Sequence, residues 1–391
     1  MAGDAQSVIR WMLHEGRLIP RTREFGAQMC ERILAAGFPI ARAFCGVDTL
    51  HPLIKGTAYV WRRDAPGAER LIASLAASQS DEFRLSPPRH AQVTGQQLRR
   101  RLEDPACPMD FAVLHDFSAA GGTDYLALPM RQSDGTNSVI TFLSDRAGGF
   151  GDGDIAGLTE IAEVLAVIVE LQSARSTART LLDTYVGRRT GGRVLSGAIV
   201  RGAVEDIEAV ILYADLRGFT ELSEALPRDD VLALLNDWFE ILTGAVTGEG
   251  GEVLKFIGDG LLAIFPAEAA TTRERAAAAL RAAQAAIAAI DRRNREREVA
   301  GAPVMRFAIA LHLGEVAYGN IGAPDRLDFT VIGAAVNHAN RLERLGAGLD
   351  HRLVTSAAFA AATGEGLASL GHHQLRGVRE AQEVFGLESP A

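Results

Sequence analysis

The pattern of apolar and polar positions in the first third of the chain predicts helices mixed with strands. Helical periodicity from Thr22 to Ala36 ends at Gly37-Phe38-Pro39, a typical helix-stop signal. The segments GTAYVWRR and SVITFLSD predict strands, because apolar and β-branched residues alternate along them. The glycine-rich segment AGGFGDGD then precedes a helical pattern from Ile155 to about Ser173, with Asp152 or Asp154 as its cap.

The C-terminal half begins with a buried strand, an apolar segment from Glu208 to Ala214 that is followed directly by Asp215. An amphipathic helix, RDDVLALLNDWFEILTGAV, comes next, with Asp229 or Asp230 as its N-cap. The segment EVLKFIGDGLLAIF has the pattern of a hairpin with Gly258-Asp259 at its turn.

The remaining elements complete the predicted architecture. The alanine-rich segment from Glu268 to Ile290 favours a helix. MRFAIALHLGEVAYGNIG predicts two strands, and LDFTVIGAAVNHANRLERL predicts a strand that leads into a helix. The order β-α-β-β-α-β occurs twice in outline, which predicts an α+β domain with a ferredoxin-like antiparallel sheet and helices on one face.

An arginine-rich segment of helical character, SARSTARTLLDTYVGRRTGGRVLSG, separates the two regions. A chain of 391 residues is long enough for two domains. We therefore expect an N-terminal domain at residues 1–173, a helical linker at 174–205 and a C-terminal domain at 206–391.

Composition narrows the class of protein. The formal net charge of −9 argues against general nucleic-acid binding. The first residues lack the basic start and apolar core of a secretory signal, and Glu160 and Glu163 interrupt the longest apolar segment. We therefore expect a cytoplasmic protein without a membrane span. The chain has three cysteines without paired spacing, which favours reduced thiols of undetermined role: Cys30, Cys45 and Cys107.

Asp215 and Asp259 are the first candidates for chemistry. One follows a strand and the other lies at a hairpin turn, so neighbouring strands would bring both carboxylates to one sheet edge. Two carboxylates repel unless a cation lies beside them, and Mg²⁺ prefers such oxygen ligands together with substrate phosphates. Gly218, Gly258 and Gly260 would let a polyphosphate approach the backbone. Taken singly, each aspartate is more typical of an ordinary turn than of a metal site.

Four motifs in a fixed order favour a metal site over ordinary turns for these two aspartates. YADLRGFTELSE, KFIGDGLLAIF, LHLGEVAYGNIG and RLDFTVIGAAVNHANRLE resemble the class III nucleotidyl cyclases, the adenylate and guanylate cyclase family. The resemblance covers Val204 to Leu387 and implies a cyclase domain at residues 206–391. A plain turn explains the two aspartates less well in this context.

The resemblance implies a role for each matching residue. Asp215, Asp259 and the backbone carbonyl of Leu216 correspond to ligands of two Mg²⁺ or Mn²⁺ ions per active site. Lys255 and Thr330 correspond to the pair that reads the purine edge. The implied reaction is attack of the ATP 3′-hydroxyl on the α-phosphorus, with release of pyrophosphate.

Asn337 and Arg341 correspond to the residues that orient the ribose and stabilise the transition state. They are four residues apart on a predicted helix, so they share one face, and the guanidinium offers several donors to phosphate oxygens. Arg352 and Arg376 lie where the family places basic phosphate contacts.

The choice of base follows from Lys255, because an ammonium group only donates hydrogen bonds and family members that use GTP usually carry Glu there. Thr330 replaces the Asp of many members, and its hydroxyl can donate or accept. ATP is therefore the expected substrate, with GTP as the alternative. A catalytically inactive cyclase-like module that binds a nucleotide or a partner is a further alternative. Since the family builds each site across a head-to-tail dimer, we expect an active homodimer and an inactive monomer.

Residues 1–173 loosely resemble a GAF-type sensor domain, with a strand pair at YLALPMRQSDGTNSVITFLSD, a glycine-rich loop and a long final helix. The resemblance implies an α/β regulatory domain with a site for a small-molecule ligand, followed by a signalling linker at 174–205. His51 is expected in a turn with Pro52.

Overall fold

The structure is a computed structural model that describes residues 3–48, 54–74, 76–266, 271–364 and 366–387. His51 and Pro52, for which we expect a turn, lie outside these ranges. The chain divides into two compact units, residues 1–181 and 182–391. Within the described ranges, no helix combines the length and apolar character that a membrane span requires.

The N-terminal unit is an antiparallel α/β domain. Its described helices are α1 (Ala5–His14), α2 (Thr22–Ala35), α3 (Asp81–Arg84), α4 (Pro87–Thr94), α5 (Ala112–Ala119) and α6 (Asp152–Tyr185), the last of which continues past residue 181. Its described strands are β1 (Arg42–Asp48), β2 (Ile54–Arg62), β3 (Ala68–Ser74), β4 (Leu98–Arg100), β5 (Asp124–Arg131) and β6 (Asn137–Ser144). The sheet order is β3-β2-β1-β6-β5-β4, with antiparallel pairing throughout. Its GAF-like type stays a prediction.

Apolar side chains cover both faces of this sheet. Along β6, Ile140 and Phe142 pack in a core with α1, α2 and α6, whereas Val139 and Leu143 pack in a second core beneath α4 and α5. This alternation follows from the two-residue period of a strand. Helix α6 begins at Asp152, so Asp152 and Asp154 lie in its first turn and neither is the N-cap that we expect; the buried carboxylate of Asp154 accepts a hydrogen bond from the backbone of Gly151, the residue before the helix.

The C-terminal unit is built on a larger sheet. Its described helices are α7 (Arg188–Leu195), α8 (Phe219–Ala225), α9 (Arg228–Gly248), α10 (Thr272–Val299), α11 (Ala334–Leu349) and α12 (Ala357–Thr363). Its described strands are β7 (Val204–Leu216), β8 (Glu252–Ile257), β9 (Gly260–Pro266), β10 (Phe307–Ala323), β11 (Arg326–Ile332), β12 (Leu353–Ser356), β13 (Leu367–His373) and β14 (Gln382–Leu387). The sheet order is β13-β14-β12-β10-β7-β9-β8, and β11 pairs with the second half of β10.

Three features of this unit differ from the expectations. The sheet is mixed, because β10 and β12 are parallel, and α11 supplies the crossover that parallel strands require. The predicted β-α-β-β-α-β order occurs once, from β7 to β10, and the elements after β11 alternate differently. Helix α9 has Pro227 as its N-cap, not Asp229 or Asp230. These two aspartates lie in its first turn, where their negative charges interact favourably with the helix dipole.

Helices cover both faces of the sheet rather than one. Val210 and Leu212 of β7 pack in the core beneath α9 and α10, whereas Ile211 and Tyr213 pack in the core that includes α11. Successive residues of a strand point to opposite faces, so Asp215, two residues after Tyr213, lies on the α11 side. This face carries the residues considered next.

Candidate active site

The structure brings Asp215 and Asp259 together. Asp215 is the residue before the end of β7. Strand β9, which follows Asp259, is hydrogen-bonded to β7 with Ala214 opposite Leu261. The hairpin tip lies so close that a Cβ atom on Gly260 would be 3.3 Å from Oδ1 of Asp215. Trp238 of α9 holds the tip, since its indole nitrogen donates a 2.8 Å hydrogen bond to the backbone carbonyl of Asp259.

Electrostatics indicate that this pair of carboxylates needs a cation or a proton. Burial, reinforced by the nearby Asp259 carboxylate, raises the pKa of Asp215 to about 7. Burial also raises the pKa of Glu343 on α11 to about 7, with Arg344 and Arg217 opposing the rise. A bound cation would relieve this repulsion.

The donor chemistry fits hard divalent ions, which take carboxylate and carbonyl oxygens together with substrate phosphates. Among the described residues, no group of three or more His, Cys, Asp or Glu side chains could hold a metal ion. The two aspartates would therefore depend on other oxygen donors, such as the Leu216 carbonyl and a substrate phosphate.

A cleft of about 410 Å³ adjoins these carboxylates and includes Asp215 and Leu216 in its lining. Three arginines also line it: Arg217, Arg306 and Arg344. The Arg217 guanidinium is engaged by two backbone carbonyl oxygens at 2.9 and 2.6 Å and by a carboxylate. Basic groups beside a carboxylate pair suit a ligand that carries both phosphates and metal ions.

A second cleft, of about 690 Å³, contains three of the predicted substrate residues, Asn337, Arg341 and Arg376. Asn337 and Arg341 lie one turn apart on α11, as the spacing predicts. A Cβ atom on Gly377 would be 3.6 Å from the guanidinium of Arg341, so the neighbouring backbone approaches it closely. Arg344 lines this cleft and the first one. The two clefts therefore share a cationic side chain.

Lys255 and Thr330 lie on strands β8 and β11, near a residue that the sequence did not single out. The Lys255 ammonium donates a hydrogen bond to the carboxylate of Asp328. Asp328 is two residues before Thr330 on β11, so both side chains point to the same face. The Thr330 hydroxyl is buried and has no hydrogen-bond partner in the described part of the chain. An unsatisfied buried hydroxyl is unfavourable, so this atom has a hydrogen-bonding capacity that the described residues leave unused.

A buried network holds the strand that carries Lys255. Glu252, at the start of β8, accepts hydrogen bonds from the backbone nitrogen of Thr190 at 2.9 Å and from its hydroxyl at 2.7 Å. The Tyr318 hydroxyl donates to the other carboxylate oxygen at 2.9 Å. These bonds fix the hairpin to α7 and β10, which limits the positions that Lys255 can take.

Arg352 is the one predicted residue that lies apart from these groups. Its guanidinium donates a 2.6 Å hydrogen bond to Asp291 of α10, on the face opposite α11. Its phosphate contact stays a prediction.

Three residues of this region were not predicted from the sequence, although their spacing from predicted residues could have indicated them: Asp328, Glu343 and Arg344. Asp328 shares a strand face with Thr330, and the other two follow Arg341 within the same helix.

Comparisons with known proteins identify the family of residues 203–389. Residues 203–389 match the family model of the Adenylate and Guanylate cyclase catalytic domain. Adenylate cyclase 1 of Rhizobium meliloti (strain 1021) is 29% identical over 223 residues, which cover 56% of this chain and 33% of that protein. An adenylate cyclase of Anabaena cylindrica is 36% identical over 148 residues, which cover 37% of this chain and 28% of that protein. The chain thus spans about a third of the length of these curated relatives.

A solved structure of a bacterial light-regulated adenylyl cyclase is 30% identical, covers 57% of this chain and 64% of that chain, and has a TM-score of 0.49. The family match begins at residue 203 and assigns no family to the N-terminal unit. The matched range contains the paired carboxylates, both clefts and the Lys255–Asp328 pair. Residues 203–389 of this chain are therefore a class III adenylate and guanylate cyclase catalytic domain.

Proposed function

We propose that this chain is an adenylate cyclase that converts ATP to 3′,5′-cyclic AMP and pyrophosphate, and that residues 1–173 regulate it through the linker at 174–205. The observation that carries the choice of ATP is the group formed by Lys255, Asp328 and the unpaired hydroxyl of Thr330. Lys255 is one of only two lysines in a chain that otherwise uses arginine for its permanent cations.

This group complements the edge of adenine. A lysine ammonium donates to a ring nitrogen acceptor, and the Asp328 carboxylate or the Thr330 hydroxyl accepts from the exocyclic amino group. Guanine presents a ring N–H and an amino group instead, which family members that use GTP usually contact through a Glu at the position of Lys255. Lysine cannot provide an acceptor, so GTP fits this edge less well.

The residues of the two clefts would bind the rest of the nucleotide. Asp215, Asp259 and the Leu216 carbonyl would hold two Mg²⁺ or Mn²⁺ ions, which activate the 3′-hydroxyl and neutralise the triphosphate when bound. Arg341 would donate to the α-phosphoryl oxygens and stabilise the negative charge that develops there. Asn337, on the same helix face, would orient the ribose.

Two cations would complete the phosphate site. Arg376 lines the cleft of Asn337 and Arg341, and Arg344 lines both clefts, so each can donate to the pyrophosphate part of ATP. Charge-assisted hydrogen bonds from several guanidinium groups favour a ligand with several phosphates.

We propose that a head-to-tail homodimer completes the active site. In the described part of the chain, neither cleft contains both Asp215 and Asn337, and neither contains Lys255. Phe256 and Ile332, on the strands of the base-reading group, are 52% and 50% exposed. Exposed apolar side chains next to a functional group mark an interface, and a second copy of the chain would cover them.

The proposal is tested by giving the purified chain equimolar ATP and GTP with Mn²⁺ or Mg²⁺ and quantifying both cyclic nucleotides by mass spectrometry. We expect cyclic AMP to predominate and Asp259→Asn to abolish it. Asp325→Asn removes the same charge from an exposed turn and serves as the matched control. Predominant cyclic GMP would establish the guanylate alternative. A dimer that makes neither product would leave only the inactive, nucleotide-binding module.

A further inference from the structure

A cavity of about 420 Å³ lies in the N-terminal unit, between its sheet and helices α4 and α5. This volume is typical of sites that enclose small molecules. The sheet contributes Phe44 of β1 and Val139 of β6 to the lining, and α5 contributes Val113 and Phe117. The walls are therefore suited to a flat apolar body.

Arg42 gives this apolar cavity a positive charge. It lies on β1 and lines the cavity, with its guanidinium carbon 5.0 Å from the centre of the Phe117 ring. Phe117 in turn stacks on the buried Tyr125, with 5.6 Å between ring centres and 20° between ring planes. Arg42 is half-buried, and this partial removal from water lowers the pKa of its guanidinium.

No carboxylate within the described ranges forms an ion pair with Arg42. Glu69 lies near enough to favour the charged form of Arg42, but its carboxylate is paired with Arg62 at 3.1 Å. A desolvated guanidinium with only a cation–π contact is incompletely compensated. An anion in the cavity would supply the missing partner.

The other charged groups of the cavity leave this balance positive. Arg89 of α4 donates a 2.8 Å hydrogen bond to the neutral amide of Gln92. Lys55 is paired with Asp48 at 3.0 Å, so these two charges cancel. Glu82 is an exposed carboxylate in the lining, and its single negative charge offsets only one of the two positive charges of Arg42 and Arg89.

We propose that this cavity binds a small molecule with an aromatic or other flat apolar body and one anionic group, a carboxylate or a phosphate. The anion pairs with Arg42 and Arg89, and the body packs on Phe44, Phe117 and Val139. The site belongs to the N-terminal unit, and its ligand binding is measured independently of cyclase activity. A failure of the cyclase proposal would therefore leave this one standing, and the reverse also holds.

The test measures binding of matched probes to the purified full chain by isothermal titration calorimetry. The pairs are 2-naphthoate with 2-naphthamide and indole-3-acetate with indole-3-acetamide, and 2-naphthyl phosphate represents the phosphate source. We expect at least one anion to bind about tenfold or more tightly than its neutral counterpart, as charge-assisted hydrogen bonds require. If no anion exceeds its neutral counterpart, the proposal is overturned by the wild-type chain alone.

Two variants locate the site. Arg42→Gln is expected to remove the preference for anions, whereas Arg131→Gln, at an exposed position at the end of β5, removes the same charge outside the cavity and keeps it. Ala58→Phe fills the cavity with apolar volume and is expected to abolish binding of every probe. Circular dichroism verifies that each variant is folded. Anion preference that persists in Arg42→Gln, or binding that persists in Ala58→Phe, would contradict the assignment.

Discussion

Replacing Asp215 by Asn is expected to stabilise the C-terminal unit while it abolishes cyclase activity. The rise in the pKa of Asp215 from 3.8 to about 7 corresponds to an upper limit of about 4 kcal/mol, at roughly 1.4 kcal/mol per pKa unit. Solvent screens this half-buried group, and Asp259 shares its proton. We therefore expect a gain of about 1–2 kcal/mol in the free energy of unfolding at neutral and higher pH.

The pH dependence gives this prediction its sign. The folded Asp215 carboxyl binds its proton more tightly than the unfolded chain does, because its folded pKa is raised. Its contribution to stability is therefore fully present below about pH 4 and is lost as the pH rises to about 7. The pKa of Glu343 is also raised, so its contribution to stability is likewise lost as the pH rises. An asparagine does not titrate, so the advantage of the variant is absent near pH 4, grows with pH and is constant above about pH 7.

Differential scanning calorimetry in EDTA from about pH 5 to about pH 8 measures this difference. Asp325→Asn, in an exposed turn, controls for the change in net charge. Mn²⁺ should then stabilise the wild-type chain more than Asp215→Asn, since ligands stabilise the state that binds them. The electrostatic reasoning would be refuted if Asp215→Asn were less stable than wild type at pH 8. It would also be refuted if the gain in stability over wild type were as large at pH 5 as at pH 8.

The remaining predictions concern single side chains. Lys255 should be protected by ATP from an amine-acylating reagent, with labelling read by mass spectrometry; equal labelling of Lys255 with and without ATP would contradict its role at the base. Lys255→Glu should lower cyclic AMP formation by about tenfold or more, because it removes a charged donor from the base, and should raise the share of cyclic GMP in the competition assay. Glu252→Ala should destabilise the C-terminal unit by about 3 kcal/mol in calorimetry, since it leaves a buried Tyr318 hydroxyl and a backbone N–H unpaired. Asp124→Ala should destabilise the N-terminal unit by about 3–5 kcal/mol, because the carboxylate is fully buried and pairs with Arg99 at 2.7 Å.

Exposed ion pairs supply controls for the two stability predictions. Glu249→Ala breaks a pair with Arg281, and Asp145→Ala breaks one with Arg63, where each partner stays partly exposed to solvent. Such changes should cost about 1 kcal/mol or less. If the buried and exposed variants lose equal stability, burial is not the cause.

Features that depend on neighbouring residues could be read from the sequence. The hairpin of β8 and β9 and the position of its turn follow from alternation and from Gly258, whose φ of 64° suits glycine. The alanine-rich helix was correctly predicted near residues 268–290, although α10 begins at Thr272, with a capping box at Thr271 and Glu274, and continues to Val299.

Features that depend on distant contacts could not be read in this way. Lys255 and Asp328 are 73 residues apart in sequence, and nothing local in either strand indicates that they pair. The parallel pairing of β12 and the position of α11 on the second face depend on how the chain crosses the sheet. The cavity around Arg42 likewise requires elements from β1 to β6.

The most direct test of the central claim is complementation between two inactive variants, with cyclic AMP as the readout. If Lys255 and Asp259 of one chain serve different sites of a head-to-tail dimer, mixing Lys255→Ala with Asp259→Ala creates one intact site in each mixed dimer. Random exchange of subunits then restores about a quarter of the wild-type activity. Asp215→Ala mixed with Asp259→Ala, which damages the same half of the site twice, should restore none. Cyclic AMP at about a quarter of the wild-type rate from the first mixture alone is the predicted result, and no recovery above the separate variants would contradict the account.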